Sequence, residues 1–490
     1  MKKQFQRGVC ALLASCVMLS AIPSARATRF ADVPDSHWAA ADIELCAHLG
    51  VMNGVTSTTF GLRQSLSRAA AVVILGRFFQ WESGDPADLP YQDINPAAWY
   101  APTLASAYRE GVMTDQNRLF RPDEPITRGE FAAALIRALG YSMLSGLAGA
   151  SPFADVSANA GYIALAHDMG LMNGNGGLFA PDAAATREQA AAILARLYRK
   201  LQAEPRKTGI ISTSGGPWSS AGLESVAVQA GQFTGIQTEP IQYRIEQDSA
   251  AFLRASIAAA DAKALLYLSG DALRWNALNP AANAVFSGGY DGLLLELTGT
   301  SADAAQIQSL QGLLQGRSLH LIVPAPAQTD DDYPYAALSR LADSLTIRVL
   351  GQSRLINGFP SDPVEPLEEV YQALHTLFGA DSSRQLDASK CSLLLSASGS
   401  SWTGAVNTGL ISAQEVETLL GADDVSSHYS ERYACAYLRR TASGEQPEQV
   451  VWYLDAKSVA SRVRLAKLFD LGGLVITDAN GLTESILQAL

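Results

Sequence analysis

Ile126-Thr127-Arg128-Gly129-Glu130 has two echoes in this chain, Leu66-Ser67-Arg68 and Ala185-Thr186-Arg187, and each opens a stretch rich in Ala, Ile and Leu. An apolar anchor precedes each one: Phe60, Phe120 and Phe179. Before the anchors stand three turns, Gly50-Val51-Met52-Asn53-Gly54, Gly111-Val112-Met113-Thr114-Asp115 and Gly170-Leu171-Met172-Asn173-Gly174. Farther back, Phe30-Ala31-Asp32-Val33 recurs as Tyr91-Gln92-Asp93-Ile94 and Phe153-Ala154-Asp155-Val156, at offsets of 61 and 62. Three copies of helix, loop and helix at a near-fixed period predict one repeat architecture over residues 28–200.

The start of each second helix carries the chemistry. Thr127 with Glu130, and Thr186 with Gln189, fit a capping box, in which side chains satisfy the backbone N–H groups that a helix leaves free at its start. Ser67 can cap the first copy, but Ala70 cannot close the box. An arginine directly after the cap opposes the helix dipole, and the threefold repetition of that placement points to a role. Two readings stand. Each arginine, beside free N–H groups, makes a compact site for an anion such as a sugar carboxylate. Alternatively, each is bonded to the aspartate of its own or a neighbouring repeat as structural glue.

With an aspartate near the start, a tryptophan, a glycine turn and a Thr-Arg-Ala-Glu-like mark, residues 28–200 resemble the S-layer homology (SLH) module. The resemblance implies an α-helical trefoil of repeats at 28–86, 87–148 and 149–200 that binds secondary cell-wall polymer, often through a pyruvylated sugar. Carried over, the binding residues are Arg68, Arg128 and Arg187, with aromatic walls from Trp38 and Trp99. The third repeat departs from the pattern: no tryptophan follows Asp155, and Tyr162 is the aromatic nearby.

At 490 residues, 48% hydrophobic and 17% charged, the chain has material for two or more buried cores. Lys2, Lys3 and Arg7, the apolar run Val9 to Ile22 and the small-x-small site Ala25-Arg26-Ala27 read as an export signal over residues 1–27. A rival reading makes Leu13-Ala14-Ser15-Cys16 a lipoprotein box. Removing four cations (Lys2, Lys3, Arg7, Arg26) and no acid takes the formal charge from −12 to −16, which argues against nucleic acid and against an anionic membrane surface. No run is long enough for a membrane span. Cys46, Cys391 and Cys435 remain, with neither disulfide nor zinc spacing.

After a polar linker at 201–207, short apolar runs alternate with helical stretches. The expected strands are Gly209–Ser212, Gly235–Ile241, Ala264–Leu268, Gly292–Leu297, Leu319–Val323, Thr346–Leu350, Ser392–Ser396 and Gly473–Thr477. Eight such runs over 208–490 fit a (β/α)₈ barrel, with a doubly wound sheet as the rival. No glycine-rich phosphate loop follows a strand, so no nucleotide cofactor is expected. His320, His375 and His428 lack metal-ligand spacing, and no metal is expected.

Tyr290 to Thr298 resembles the fourth strand of glycoside hydrolase family 18, the chitinase-like barrels. Val451 to Ser458, followed by Phe469 to Ile476, resembles that family's penultimate helix and last strand. The resemblance implies a substrate-assisted hydrolysis, in which one glutamic acid at the end of the fourth strand protonates the leaving oxygen. Here Thr298 occupies that position, and the aspartates before it become Leu294 and Glu296. The sixth-strand tyrosine and aspartate fall on Leu350 and Gly351, and the floor tryptophan on Thr477. The expectation is a barrel that has lost catalysis and binds glycan or a partner. Asp291, Glu296 and Trp402 are its glycan-binding candidates, and Trp218 and Trp275 are further aromatics.

Alternatives remain. Glu296 shares a strand face with Leu294 and Thr298, and with Asp478 it could form a shifted acid pair in an active glycosidase on peptidoglycan or another N-acetylhexosamine glycan. The plain reading of Glu296 is a buried acid paired with Arg348. A third possibility is a purely architectural surface-layer protein.

Overall fold

A computed structural model of the chain describes residues 29–113, 118–149, 151–212, 222–234, 242–245, 247–269, 278–380, 382, 386–442 and 447–490. It divides into two compact units, Met1–Ala203 and Glu204–Leu490. The export signal, Trp218, Trp275 and the stretch 235–241 lie outside the described residues.

Among the described residues the first unit holds six α-helices in three pairs: α1 Ala40–His48 and α2 Arg68–Phe78, α3 Ala101–Arg109 and α4 Arg128–Ala138, α5 Ala160–Asp168 and α6 Arg187–Leu201. The caps form as their residue types dictate. Ser67 accepts from the Ala70 N–H, and Thr127–Glu130 and Thr186–Gln189 close full boxes. The three residues just before the caps close a ring at the centre. Leu66 N–H donates to Ala185 O (2.8 Å), Ala185 N–H to Ile126 O (2.9 Å), and Ile126 N–H to Leu66 O (2.9 Å). All three are buried, so each repeat supplies one link of a closed threefold junction, the trefoil that the resemblance implied. Phe60, Phe120 and Phe179 are each sealed in the core. Gly54 and Gly174 lie so close to the rings of Phe30 and Phe153 that a Cβ would come within 2.7 and 2.3 Å, which explains the glycines of those two turns.

The second unit is a closed barrel of eight parallel strands: β1 Arg206–Ser212, β2 Ser225–Gln229, β3 Lys263–Ser269, β4 Gly292–Glu296, β5 Ser318–Pro324, β6 Ser344–Arg348, β7 Cys391–Ser396 and β8 Gly473–Thr477. Neighbours around the barrel follow chain order and β8 pairs with β1. Ile210, Ala227, Leu265, Leu294, Ile322, Leu394 and Val475 pack inside as one apolar cluster, with a residue from every strand but β6.

Three expectations need correction. The second strand is Ser225–Gln229 rather than Gly235–Ile241, a shorter run whose buried part is only Val226-Ala227-Val228. The sixth ends at Arg348, which leaves Leu350 beyond it and half exposed. Between β7 and β8 the chain builds an antiparallel sheet that the repeat-like strand pattern did not announce. Its strands run in the order 406–411, 399–403, 449–453, 435–440, 425–430, over a core of Val416, Ala436, Leu438, Val451 and Tyr453. Val451-Trp452-Tyr453 is therefore strand, and the helix assigned to it starts only at Ala456, capped by Asp455.

Candidate functional site

The repeat arginines form a second ring outside the first. Arg68 Nε donates to Phe120 O (2.7 Å), Arg128 Nε to Phe179 O (3.0 Å) and Arg187 Nε to Phe60 O (2.9 Å). Arg128 also reaches Asn173 O (3.1 Å) and Arg187 reaches Asn53 O (2.6 Å). The aspartates that recur in the three repeats hold the other side of the same anchors. Asp32 accepts from the N–H groups of Phe60, Gly61 and Leu62, Asp93 from Phe120 and Arg121, and Asp155 from Phe179 and Ala180. Each anchor phenylalanine is thus fixed at its N–H by its own repeat's aspartate and at its carbonyl by the preceding repeat's arginine. Burial alone would raise the pKa of Asp32, but the three N–H donors outweigh it and hold the carboxyl below its usual value.

Two parts of the sequence reading change. The arginines are glue, but to backbone carbonyls rather than to aspartates. The helix-start N–H groups are also taken: those of Arg68 and Ala69 donate to Glu124 O and Pro122 O, those of Arg128 and Gly129 to Ala183 O and Pro181 O, and that of Arg187 to Gln64 O. At the Arg68 and Arg128 sites an anion would meet guanidinium rather than these helix-start N–H groups.

The three arginines are not equivalent. Arg68 is 5% exposed and ion-paired with Glu130 (2.6 Å). The positions matching Glu130 are Gln189 and Ala70, so Arg128 and Arg187 have no such acid. Burial works against the charge of Arg128, opposed by Asp155, and against that of Arg187, opposed by Asp32 and Glu188. Trp38 and Trp99 are 64% and 65% exposed. Tyr162 is no third wall, because it lies under Arg137 (4.6 Å) and bonds to it.

At the C-terminal end of β4, Glu296 is 8% exposed. One carboxylate oxygen accepts from Arg348 at the end of β6 and the other from the Tyr267 hydroxyl on β3. Burial raises the Tyr267 pKa, and the Glu296 charge adds to that. Tyr333, also pushed up by burial, lies within the field of Arg348. Its hydroxyl and the Arg348 Nε are both buried without a hydrogen-bond partner among the described residues. Tyr267 and Tyr333 were not legible as site residues, because only the fold brings Tyr267 to Glu296 and Tyr333 near Arg348.

The other barrel candidates do not join this group. Asp291 precedes β4, so it stands at the opposite, N-terminal end, where it accepts from the Ala264 N–H (2.9 Å). Asp478 accepts from the Ala413 N–H (2.7 Å) in the inserted segment instead of pairing with Glu296. Trp402 is 4% exposed, held in the antiparallel sheet, and offers no open face to a sugar. His320 bonds Ser344, His375 stacks on Tyr371 and His428 on Tyr437. Among the described residues no cluster of acids, histidines or cysteines could hold a metal, and no helix is long and apolar enough to cross a membrane.

Residues 29–72, 90–132 and 152–191 match the S-layer homology domain. Over 180 residues the chain is 30% identical to an amylopullulanase of Thermoanaerobacterium thermosulfurigenes, covering 35% of this chain and 10% of that protein. Over 176 residues it is 27% identical to the S-layer protein EA1 of Bacillus anthracis, covering 35% of this chain and 20% of that protein. The chain therefore spans a fifth or less of these relatives' lengths. Among solved structures, a chitinase from Chromobacterium violaceum aligns with 58% of this chain and 98% of its own at 17% identity and TM-score 0.44. A chitinase-like agglutinin from Robinia pseudoacacia aligns with 57% and 97% at 15% identity and TM-score 0.44. The strand order itself, not these likenesses, fixes the barrel. The N-terminal unit is a triplet of S-layer homology domains, and the chain that carries it is a cell-surface protein.

Proposed function

We propose that the three repeats hold this protein in the cell wall by taking an anionic group of a secondary cell-wall polymer or a peptidoglycan-linked glycan. The barrel is then a non-hydrolytic domain that binds glycan or a partner protein. The observation that carries the barrel reading is the engagement of Glu296 by Arg348 and Tyr267. A general acid must reach the leaving oxygen with a proton, and the Glu296 carboxyl is buried with both of its oxygens engaged by Arg348 and Tyr267. Thr298, at the position of the acid in the resembling family, cannot donate a proton near neutral pH.

For anchoring, the support is the distribution of charge among the arginines. Arg68 is neutralised by Glu130, whereas Arg128 and Arg187 bond neutral carbonyls. Trp38 and Trp99 offer open aromatic faces to sugar rings. A similar segment occurs in an amylopullulanase and in an S-layer protein, as a module carried by different cargo would. Residues 28–200 are expected to sediment with purified wall. Arg128→Ala should weaken that binding by roughly 1.5–3 kcal/mol, the range for a lost charge-assisted bond, with circular dichroism checking that the repeats stay folded. Undiminished binding by a folded Arg128→Ala/Arg187→Ala double variant would remove the arginines from the ligand role.

A further inference from the structure

Two buried charged side chains take no part in the groups described so far. Glu365 is 3% exposed, on the segment that leads into the helix Leu367–Phe378. Its φ of 37° lies in the left-handed region, which a non-glycine residue adopts only when its surroundings hold it there. Its carboxyl accepts from the Ser396 hydroxyl (2.6 Å) and the Ser396 N–H (3.0 Å) at the end of β7. Its carbonyl accepts from Arg462 Nε (2.8 Å) and Nη2 (2.5 Å).

Arg462, on the helix Ala456–Leu468, is fully buried. It also donates to Val364 O, Tyr433 O, Ala434 O and Ser458 O. Tyr433 and Ala434 form the turn between two strands of the antiparallel insert. Asp362, three residues before Glu365, holds Ser400 and Asn407 on two further insert strands. One short segment thus ties together β7, the helix 456–468 and the insert.

We propose that Glu365 is a proton-sensitive clasp, protonated when closed, that sets how firmly the antiparallel insert and the helix 456–468 are held to the end of β7. Arg462 cannot meet an ionised Glu365 without giving up carbonyls, since its donors are already shared among five backbone acceptors and Ser461. A carboxylate here has Ser396 as its bonding partner, and opening the segment to water is how the fold relieves that charge.

Burial pushes the Glu365 carboxyl up to about 7, against the bonds from Ser396 and the field of Arg462. The titratable groups that interact with the pair include the Cys435 thiol, raised to about 12 by burial, the Tyr429 phenol, also pushed up by burial, and Asp455 at the helix cap. The folded-state value lies above the ordinary 4.5. The clasp therefore contributes fully below about pH 4.5 and is lost as pH rises through about 7. A cell-surface protein meets the pH of its surroundings directly, so this range is one that the clasp experiences.

The test is hydrogen exchange of the full chain, followed by mass spectrometry on peptides from 399–440 and corrected for intrinsic rates. Between pH 5.5 and 8.5 wild-type protection is expected to fall roughly tenfold or more. Glu365→Gln, which mimics the protonated form, should keep the low-pH protection at both values. Ser396→Ala removes a bond that favours ionisation, so it should move the midpoint to higher pH, and this readout stands if Glu365→Gln does not fold. Wild-type protection that is independent of pH overturns the clasp. So does a fall that persists in Glu365→Gln, or a midpoint unmoved in Ser396→Ala.

Discussion

Arg348→Met is expected to destabilise the barrel by about 3–5 kcal/mol, the cost of leaving one member of a buried ion pair without its partner. Glu296 is buried, and the Arg348 guanidinium is the cation that balances it; the Tyr267 hydroxyl alone cannot. The double change Glu296→Leu/Arg348→Met should restore most of the loss, because two apolar side chains of similar volume then fill the layer above Leu294. Tyr267→Phe should cost about 1.5–3 kcal/mol, one hydrogen bond to a charged group. Urea unfolding of the four proteins, followed through the barrel transition, checks the series. A double variant as unstable as Arg348→Met would mean that Glu296 and Arg348 are not a structural pair.

The second large effect is an absence of turnover. Release of reducing ends from chitooligosaccharides and from purified wall should be lower than in an intact hydrolase by at least the 10²–10⁴-fold that general acid catalysis supplies. Thr298→Glu alone should not create robust activity. Leu350, beyond the end of β6 and half exposed, cannot hold an acetamido group, and neither can Gly351. Glu296→Gln should leave hydrolysis as low as in wild type. Clear wild-type turnover that vanishes in Glu296→Gln would make Glu296 an acid after all and overturn the non-hydrolytic reading.

How much the sequence disclosed follows from the range of each interaction. The caps at Ser67, Thr127 and Thr186 were legible because hydroxyl and N–H lie three residues apart. The partners of Arg68, Arg128 and Arg187 were not, because they are carbonyls 52, 51 and 127 residues away and carry no side-chain signature. Buried parallel strands such as Gly292–Glu296 announce themselves as unbroken apolar runs. The insert does not: Gly399–Thr403 and Val425–Ser430 are rich in serine and lack a strong alternation. Val451-Trp452-Tyr453, a short apolar run, fits helix or strand equally well by pattern.

Asp291 is a glycan-binding candidate by sequence, yet the residue before a parallel strand belongs to the opposite face. Glu296 was the converse case. Period-two alternation put it inside the barrel, and Arg348, named as its partner from the sequence, is its partner in the fold.

Anchoring is tested most directly by partition of the intact chain between supernatant and purified cell wall, before and after the wall is stripped of its non-peptidoglycan polymer. The account predicts that the chain and residues 28–200 alone pellet equally well with native wall, and that both stay in solution with stripped wall. Pelleting that requires the barrel, or that survives removal of the polymer, would contradict it.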